Sequence, residues 1–302
     1  MAKQPTRQDI YTRVTNQIAL QLEKGVRPWI KPWSVEHTAG RITRPRRHNA
    51  IPYRGVNVLL LWSEALAKGY AAPLWMTYKQ SAEMGAQVRK GEHGSLVVFA
   101  DRITKTETDS AGQDVEREIP FIKGYTVFNV EQIDGLPAHY YAQPVNPLPL
   151  SDRLTQADQF VTATGAAIHL GGNQAYYSPA TDRIQLPPFE AFKDKESYYA
   201  TALHELTHWT RHENRLDRDF GRQRFGDAGY AREELVAELG SAFLCADLGI
   251  TPEIREDHAD YIGHWLKVLA EDKHAIFQAA AHAQRAADYL QQLQPPPVQQ
   301  AS

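Results

Sequence analysis

Sulfur is scarce in this chain: one cysteine, Cys245, and three methionines among 302 residues. A single cysteine excludes an intramolecular disulfide and fits a reducing compartment. Cys245 falls in the apolar part of a predicted helix, where a buried core position is expected. Long apolar runs are absent too. Nothing approaches the roughly 20 residues that cross a bilayer, and the opening Met1-Ala2-Lys3-Gln4-Pro5 carries no apolar signal region. These absences predict a soluble cytoplasmic protein with no membrane partner. No internal repeat is found.

Charge is present but unevenly placed. The net −3 of the whole chain divides into +9 for residues 1–100 and −12 for residues 101–302. A basic first third on an acidic remainder points to one domain that meets a polyanion. With 42% hydrophobic residues the chain can bury a core and is long enough for two domains. The join is expected where four prolines and little charge fall between residues 137 and 151. The predicted division is residues 1–137, a linker 138–150, and residues 151–302. The run Pro295-Pro296-Pro297 and the polar residues after it are expected to be a frayed tail.

The N-terminal part reads as an α+β domain. Ile10, Val14, Ile18 and Leu22 predict a helix over 8–24, ended by Gly25. A second helix is expected over 58–68, a strand at 75–78 and a short helix at 79–84. The turn at 89–94 leads into a strand, Ser95 to Phe99. Its hairpin passes residues 110–112 and returns through 125–130. Aromatics are interleaved with cations: Trp29, Lys31, Trp33 and Tyr53 alongside Arg41, Arg44, Arg46, Arg47 and Arg54, with Lys79, Arg89 and Lys90 further on. Bases stack on aromatic faces while cations follow phosphates, so this pattern suits an unpaired strand. Neither a recognition helix nor a metal-bound finger for duplex DNA is evident. Tryptophans are more often core than platform, so the stacking role of Trp29 and Trp33 is an expectation for the structure to test.

The most informative motif is His204-Glu205-Leu206-Thr207-His208 in a predicted helix opening near Ser197. Residues four apart on a helix lie about 40° apart and about 6 Å along the axis, so both imidazoles can reach one metal ion. Glu205 lies close enough to act on a water at that metal without being a ligand. A zinc ion with three protein ligands lowers the pKa of its water, and the Glu takes the proton: the machinery of metal-assisted peptide hydrolysis. His212 is one step too far around the axis to complete the set. A helix over 231–250, ending near Gly249, offers Glu234 and Glu238 one turn apart. One suits a ligand and the other a partner for a ligand His. Glu234 is the first choice as ligand, with the reverse assignment open on spacing alone. Short strands at 166–170, 175–177 and 183–186 predict a small sheet that offers an edge to an extended peptide.

The motifs Tyr11-Thr12-Arg13-Val14-Thr15, Pro28-Trp29-Ile30-Lys31-Pro32-Trp33, Tyr53-Arg54-Gly55-Val56-Asn57, Trp75-Met76-Thr77-Tyr78-Lys79-Gln80, Val88-Arg89-Lys90-Gly91-Glu92 and Val127-Phe128-Asn129-Val130-Glu131-Gln132 resemble the N-terminal domain of the ArdC antirestriction proteins. A similar domain occurs in plasmid primases of the TraC type. The distal His204-Glu205-Leu206-Thr207-His208-Trp209 and Glu233-Glu234-Leu235-Val236-Ala237-Glu238-Leu239 resemble the zincin-like domain that follows it in ArdC. The resemblance implies two α+β domains, the second mostly helical with a small sheet. It also implies a plasmid-encoded protein that binds single-stranded DNA during conjugation and protects incoming DNA from host restriction. The metal motif adds a zinc peptidase with a host protein, such as a restriction component, as its substrate. The alternative is a DNA-binding shield whose metal site is structural or vestigial.

Overall fold

Asp9 opens the first helix by accepting the Thr12 amide at 3.1 Å, an N-cap that satisfies one of the orphan donors of a helix start. The helix α1, Ile10–Glu23, buries Val14, Ile18 and Leu22 on one stripe. Gly25, at φ +72, turns the chain away in a conformation most side chains avoid. The computed structural model describes residues 9–29, 43–108, 113–141, 149–221, 227–251 and 258–296. The expected hairpin turn at 110–112 and most of the expected linker lie outside them.

The short strand β1, Arg46–Arg47, is followed by α2, Val56–Lys68. Val58 to Trp62 are all buried, so this stretch of the helix is apolar and covered on every side. Next come β2, Leu74–Met76, and α3, Tyr78–Glu83. Tyr78, expected at the end of the strand, instead opens the helix. Thr77 and Gln80 form a capping box there, which stops the strand at Met76, two residues early. The strand β3, Gln87–Val88, pairs with β6, Ile133–Asp134. Between them run β4, Ser95–Thr108, and β5, Asp114–Asn129. The sheet order is β1-β2-β5-β4.

The β4–β5 arm is far longer than the expected Ser95–Phe99, with register continuing from Ser95↔Val127 to Thr108↔Asp114. Its outer part is exposed on both faces, residues 101–106 throughout. No apolar alternation marks such a segment in the sequence.

The C-terminal part begins with α4, Leu150–Ala163, and a three-stranded sheet of β7, Ala167–Leu170, β8, Tyr176–Ser178, and β9, Arg183–Leu186, in the order β7-β9-β8. Among the described residues, four α-helices follow: α5, Lys195–Trp209; α6, Ala228–Leu248; α7, His258–Glu271; and α8, Ala275–Gln292. The architecture is two-part α+β, with the second part dominated by helices. No helix among the described residues is long and apolar enough to cross a membrane.

One apolar core runs through both parts. Trp62 of α2 faces Phe243 of α6 at 5.9 Å between ring centroids, and Trp29 meets Trp265 of α7 at 6.0 Å. Cys245 is buried in this core, and burial pushes its thiol pKa up to about 12.

Candidate metal centre

Helix α5 starts where the Asp194 carboxylate accepts the Ser197 amide at 2.8 Å. From Tyr199 onward every residue of the helix is buried, so its polar groups need partners inside the protein. His204, Glu205 and His208 are 5%, 3% and 8% exposed. His212 lies beyond the end of the helix.

The neighbouring helix α6 comes very close. A Cβ on Gly240 would stand 2.5 Å from Cγ2 of Thr207, so the absence of a side chain there lets the two backbones approach. Glu234 of α6 then sits between the two imidazoles. Its Oε2 is 3.6 Å from Nε2 of His204 and its Oε1 is 3.5 Å from Nε2 of His208. One donor atom from each of the three residues lies within 4.8 Å of the others. Donors around a tetrahedral zinc stand about 3.3 Å apart, given bonds near 2.0–2.1 Å. Two imidazoles and one carboxylate therefore fit a divalent ion in both spacing and chemistry.

The opposite face of each imidazole meets a second carboxylate. His208 Nδ1 is 3.0 Å from Oε1 of Glu233, and His204 Nδ1 is 3.8 Å from Oε2 of Glu238. Each of these carboxylates is backed by an arginine. Arg218 donates from Nε and Nη2 to Glu233, both at 2.8 Å, and Arg27 donates from Nη1 to Glu238 at 3.3 Å. Burial would raise the pKa of Glu233, but Arg218 and His208 outweigh it and hold it down to about 2. Burial likewise opposes charge on His208, yet Glu234 and Glu233 carry its pKa up to about 10. Near the same carboxylates, Tyr230 and Tyr261 share a hydrogen bond of 2.8 Å. Burial and the charge of Glu234 raise the Tyr230 pKa.

Sequence reasoning missed Glu233, Arg218 and Arg27. The doublet Glu233-Glu234 was the one local signal. Successive residues on a helix are 100° apart, so the second carboxylate reaches the outer face of His208 instead of duplicating the first.

The expected DNA-contacting residues scatter. Lys31, Trp33 and Arg41 lie outside the described residues. Trp29 is wholly buried against Trp265, and Tyr53 is also buried, with Arg47 over its ring at 5.6 Å. Both pack in the core, which corrects their expected role as stacking faces. Arg44 is buried as well and pairs with Asp247 of α6. Exposed cations remain at Arg46, Arg47 and Lys90. Arg54 pairs with Asp288, Lys79 with Glu83 at 3.7 Å, and Arg89 with Glu92 at 2.8 Å and Asp134 at 3.4 Å.

Exposed aromatics stand instead on the β4–β5 arm. Phe99 and Tyr125 meet edge to face at 6.4 Å, with Lys123 5.2 Å over the Tyr125 ring. Beside them opens a groove of about 400 Å³ lined in part by Arg13, Leu96, Gly124 and Tyr125. Phe99 and Tyr125 fall inside the expected strands, but nothing in the pattern marked their rings as exposed.

Comparison with known proteins places this geometry. The family described as the N-terminal domain of anti-restriction factor ArdC matches residues 8–128, and a zincin-like metallopeptidase family matches residues 155–282. The uncharacterized protein y4eC of Sinorhizobium fredii is 46% identical over 288 residues, covering 93% of this chain and 91% of that protein. Two Escherichia coli proteins named DNA primase TraC are each 40% identical over 299 and 294 residues, but the matches span only 27% and 19% of those longer proteins. The crystal structure of antirestriction protein ArdC from the R388 plasmid, in its metal-free form, superposes with a TM-score of 0.80 at 43% identity, covering 95% of this chain and 98% of that one. Its Mn(II)-bound form superposes with a TM-score of 0.76 at 42% identity. With this identity, coverage and shared architecture, the chain belongs to the ArdC antirestriction family.

Proposed function

We propose that this chain binds single-stranded DNA through its N-terminal part and carries a metal-dependent peptidase in its C-terminal part, and so protects incoming DNA from host restriction. The observation that carries the enzymatic half is the convergence of His204, His208 and Glu234, with Glu205 buried next to His204 in the same helix. Three protein donors leave a coordination position open, whereas a structural zinc takes four. A divalent metal there, zinc in this reading, supplies a Lewis acid for a peptide carbonyl and makes a water more acidic. Glu205 would take a proton from the attacking water and pass it to the departing amine. Glu233 holds the His208 imidazole by its Nδ1 side, and the Glu238 carboxylate faces Nδ1 of His204. The sheet edges at β7 and β8 offer main-chain partners to an extended peptide. The proposed substrate is a component of the host restriction machinery, met in the cytoplasm. The Mn(II)-bound form of the R388 protein supports a divalent metal.

For DNA, Arg46, Arg47, Lys79 and Lys90 supply cations for phosphates, and Tyr78, Phe99 and Tyr125 supply exposed rings for bases. Lys31, Trp33 and Arg41 stay in the proposed surface, with Arg54 and Arg89 at its rim. Residues 1–137 and 151–302, joined through 138–150, are the proposed functional units.

The test is incubation with an extract of restriction-proficient cells, comparing the unaltered protein with Glu205→Ala and identifying new protein N-termini. New termini made only by the unaltered protein are expected. The deep burial of His204, Glu205 and His208 favours a second reading, in which the metal serves stability and DNA is shielded by binding alone. That reading predicts no new termini from either protein.

A further inference from the structure

Each histidine of the metal centre has a carboxylate on its Nδ1 side and an arginine behind that carboxylate; Glu233 stands at hydrogen-bond distance from His208, 3.0 Å, and Glu238 at ion-pair distance from His204, 3.8 Å. The two arginines, however, come from different parts of the molecule. Arg218 follows α5 in the chain and lies within the stretch that matches the zincin-like family. Arg27 follows α1, inside the stretch that matches the ArdC N-terminal domain. It reaches Glu238 across 211 residues of sequence.

Arg27 is held in place. Its side chain and that of Glu238 are 10% and 5% exposed. Leu22 before it and Trp29 after it are buried in the shared core, the latter against Trp265 of α7. A carboxylate this deeply buried needs a cation to stay charged and oriented. A metal-ligating imidazole in turn depends on the acceptor at its other nitrogen for tautomer and ring angle.

We propose that Arg27 is a positioning residue for the metal centre: through Glu238 it fixes the Nδ1 side of His204, so full metal affinity requires the N-terminal part docked on α6. The inference rests on the reading that His204, His208 and Glu234 bind a divalent metal. Neither family segment alone contains the complete set of supporting groups. The coupling is reciprocal, because a metal that binds the docked arrangement more tightly also stabilises it.

The test uses the full-length chain with Mn²⁺ as probe. Affinity is measured by calorimetric titration, and unfolding of the metal-free protein is measured in parallel. Arg27→Met is expected to weaken Mn²⁺ binding about 10–100-fold, the usual cost of losing a supporting group behind a ligand. Arg27→Lys is expected to restore part of it. In a Glu238→Gln background, Arg27→Met is expected to add little, since the carboxylate it acts through is gone. A purely structural role would lower the unfolding temperature of the metal-free protein and leave Mn²⁺ affinity unchanged, and that result overturns the inference. So does an equal loss from Arg27→Met in both backgrounds. If Arg27→Met fails to fold, Glu238→Gln alone decides: unaltered Mn²⁺ affinity in that variant overturns the inference. An unaltered protein that binds no Mn²⁺ removes the metal centre itself, and the inference with it.

Discussion

Arg44 and Asp247 fasten the two parts of the molecule together: Nε of the arginine lies 2.9 Å from Oδ1 of the aspartate, and Nη2 donates to Oδ2 at 2.9 Å. The guanidinium also donates to Gln284 of α8 at 2.9 Å and covers the Phe243 ring at 4.6 Å. Removing one partner of a buried pair strands the other, at a cost of about 3–5 kcal/mol. Asp247 keeps some solvent contact, so Asp247→Ala is expected to lose about 3 kcal/mol, the low end of that range. Urea denaturation of the metal-free protein measures it. A loss under about 0.5 kcal/mol, ordinary for a surface change, would remove Arg44 from the clamp.

Arginine 46 and 47 are expected to behave differently from Trp29. Each phosphate neutralised on a single strand contributes about −0.7 to the slope of log affinity against log salt. Arg46→Ala with Arg47→Ala should flatten that slope by up to about 1.4 units and leave stability nearly unchanged. Trp29→Ala should instead destabilise the fold by about 3–5 kcal/mol, the cost of emptying a buried aromatic site. Salt titration of a fluorescent oligonucleotide and chemical denaturation separate the two. An unchanged slope in the double arginine variant would take both residues out of the DNA surface.

At Gly240 an added methyl would stand 2.5 Å from Cγ2 and 2.8 Å from Oγ1 of Thr207, a fully buried side chain on the histidine helix. Alanine is the better helix former by about 1 kcal/mol, yet α5 and α6 must separate to admit it. Metal bonds tolerate only about 0.2 Å of displacement. Gly240→Ala is therefore expected to weaken metal binding, with recovery when Thr207→Ala is added. Wild-type affinity in Gly240→Ala would show that helix spacing does not set the site.

His282 of α8 provides a pH dependence with a definite sign. Burial, then Arg285 and Arg218, push its pKa down to about 4, and Arg285 donates to its Nδ1 at 2.9 Å. The folded protein thus keeps the ring neutral at pH values where the unfolded chain, near pKa 6.5, binds a proton. Stability from this group is complete above pH 6.5 and is lost as pH falls toward 4. Urea midpoints at pH 7, 5.5 and 4.5 should fall less steeply for His282→Gln than for the unaltered protein. Identical pH profiles would count against the neutral ring.

Local spacing made much of the architecture legible. The four-residue rhythm of Ile10, Val14, Ile18 and Leu22 marked α1, and Gly249 marked the end of α6 in a left-handed turn at φ +66. His204 and His208 were readable because one helix turn brings them together, and Glu234 because its pairing with Glu238 one turn on resembles the ligand and supporting carboxylate of zinc peptidases, with the reverse assignment open on spacing alone. Arg27 and Arg218 were not readable, because their partners lie 211 and 15 residues away in sequence, beyond any local spacing rule. Trp29 and Arg44 look from composition like DNA contacts. Only the packing of α7 and α6 over them reveals a core ring and a buried clamp. The β4–β5 arm was underestimated because strands wet on both faces carry no apolar rhythm.

The closing of α1 onto the far end of the chain has a consequence for biosynthesis. The Thr15 hydroxyl bonds the carbonyl of Lys273 at 2.7 Å, 258 residues later, and α1 packs on α7. A ribosome adding about 5–20 residues per second makes that stretch in roughly 13–50 s. Throughout that interval the first helix lacks the part of its native cover that α7 supplies. The docking of the first helix is therefore completed only when the helices nearest the far end of the sequence have been made.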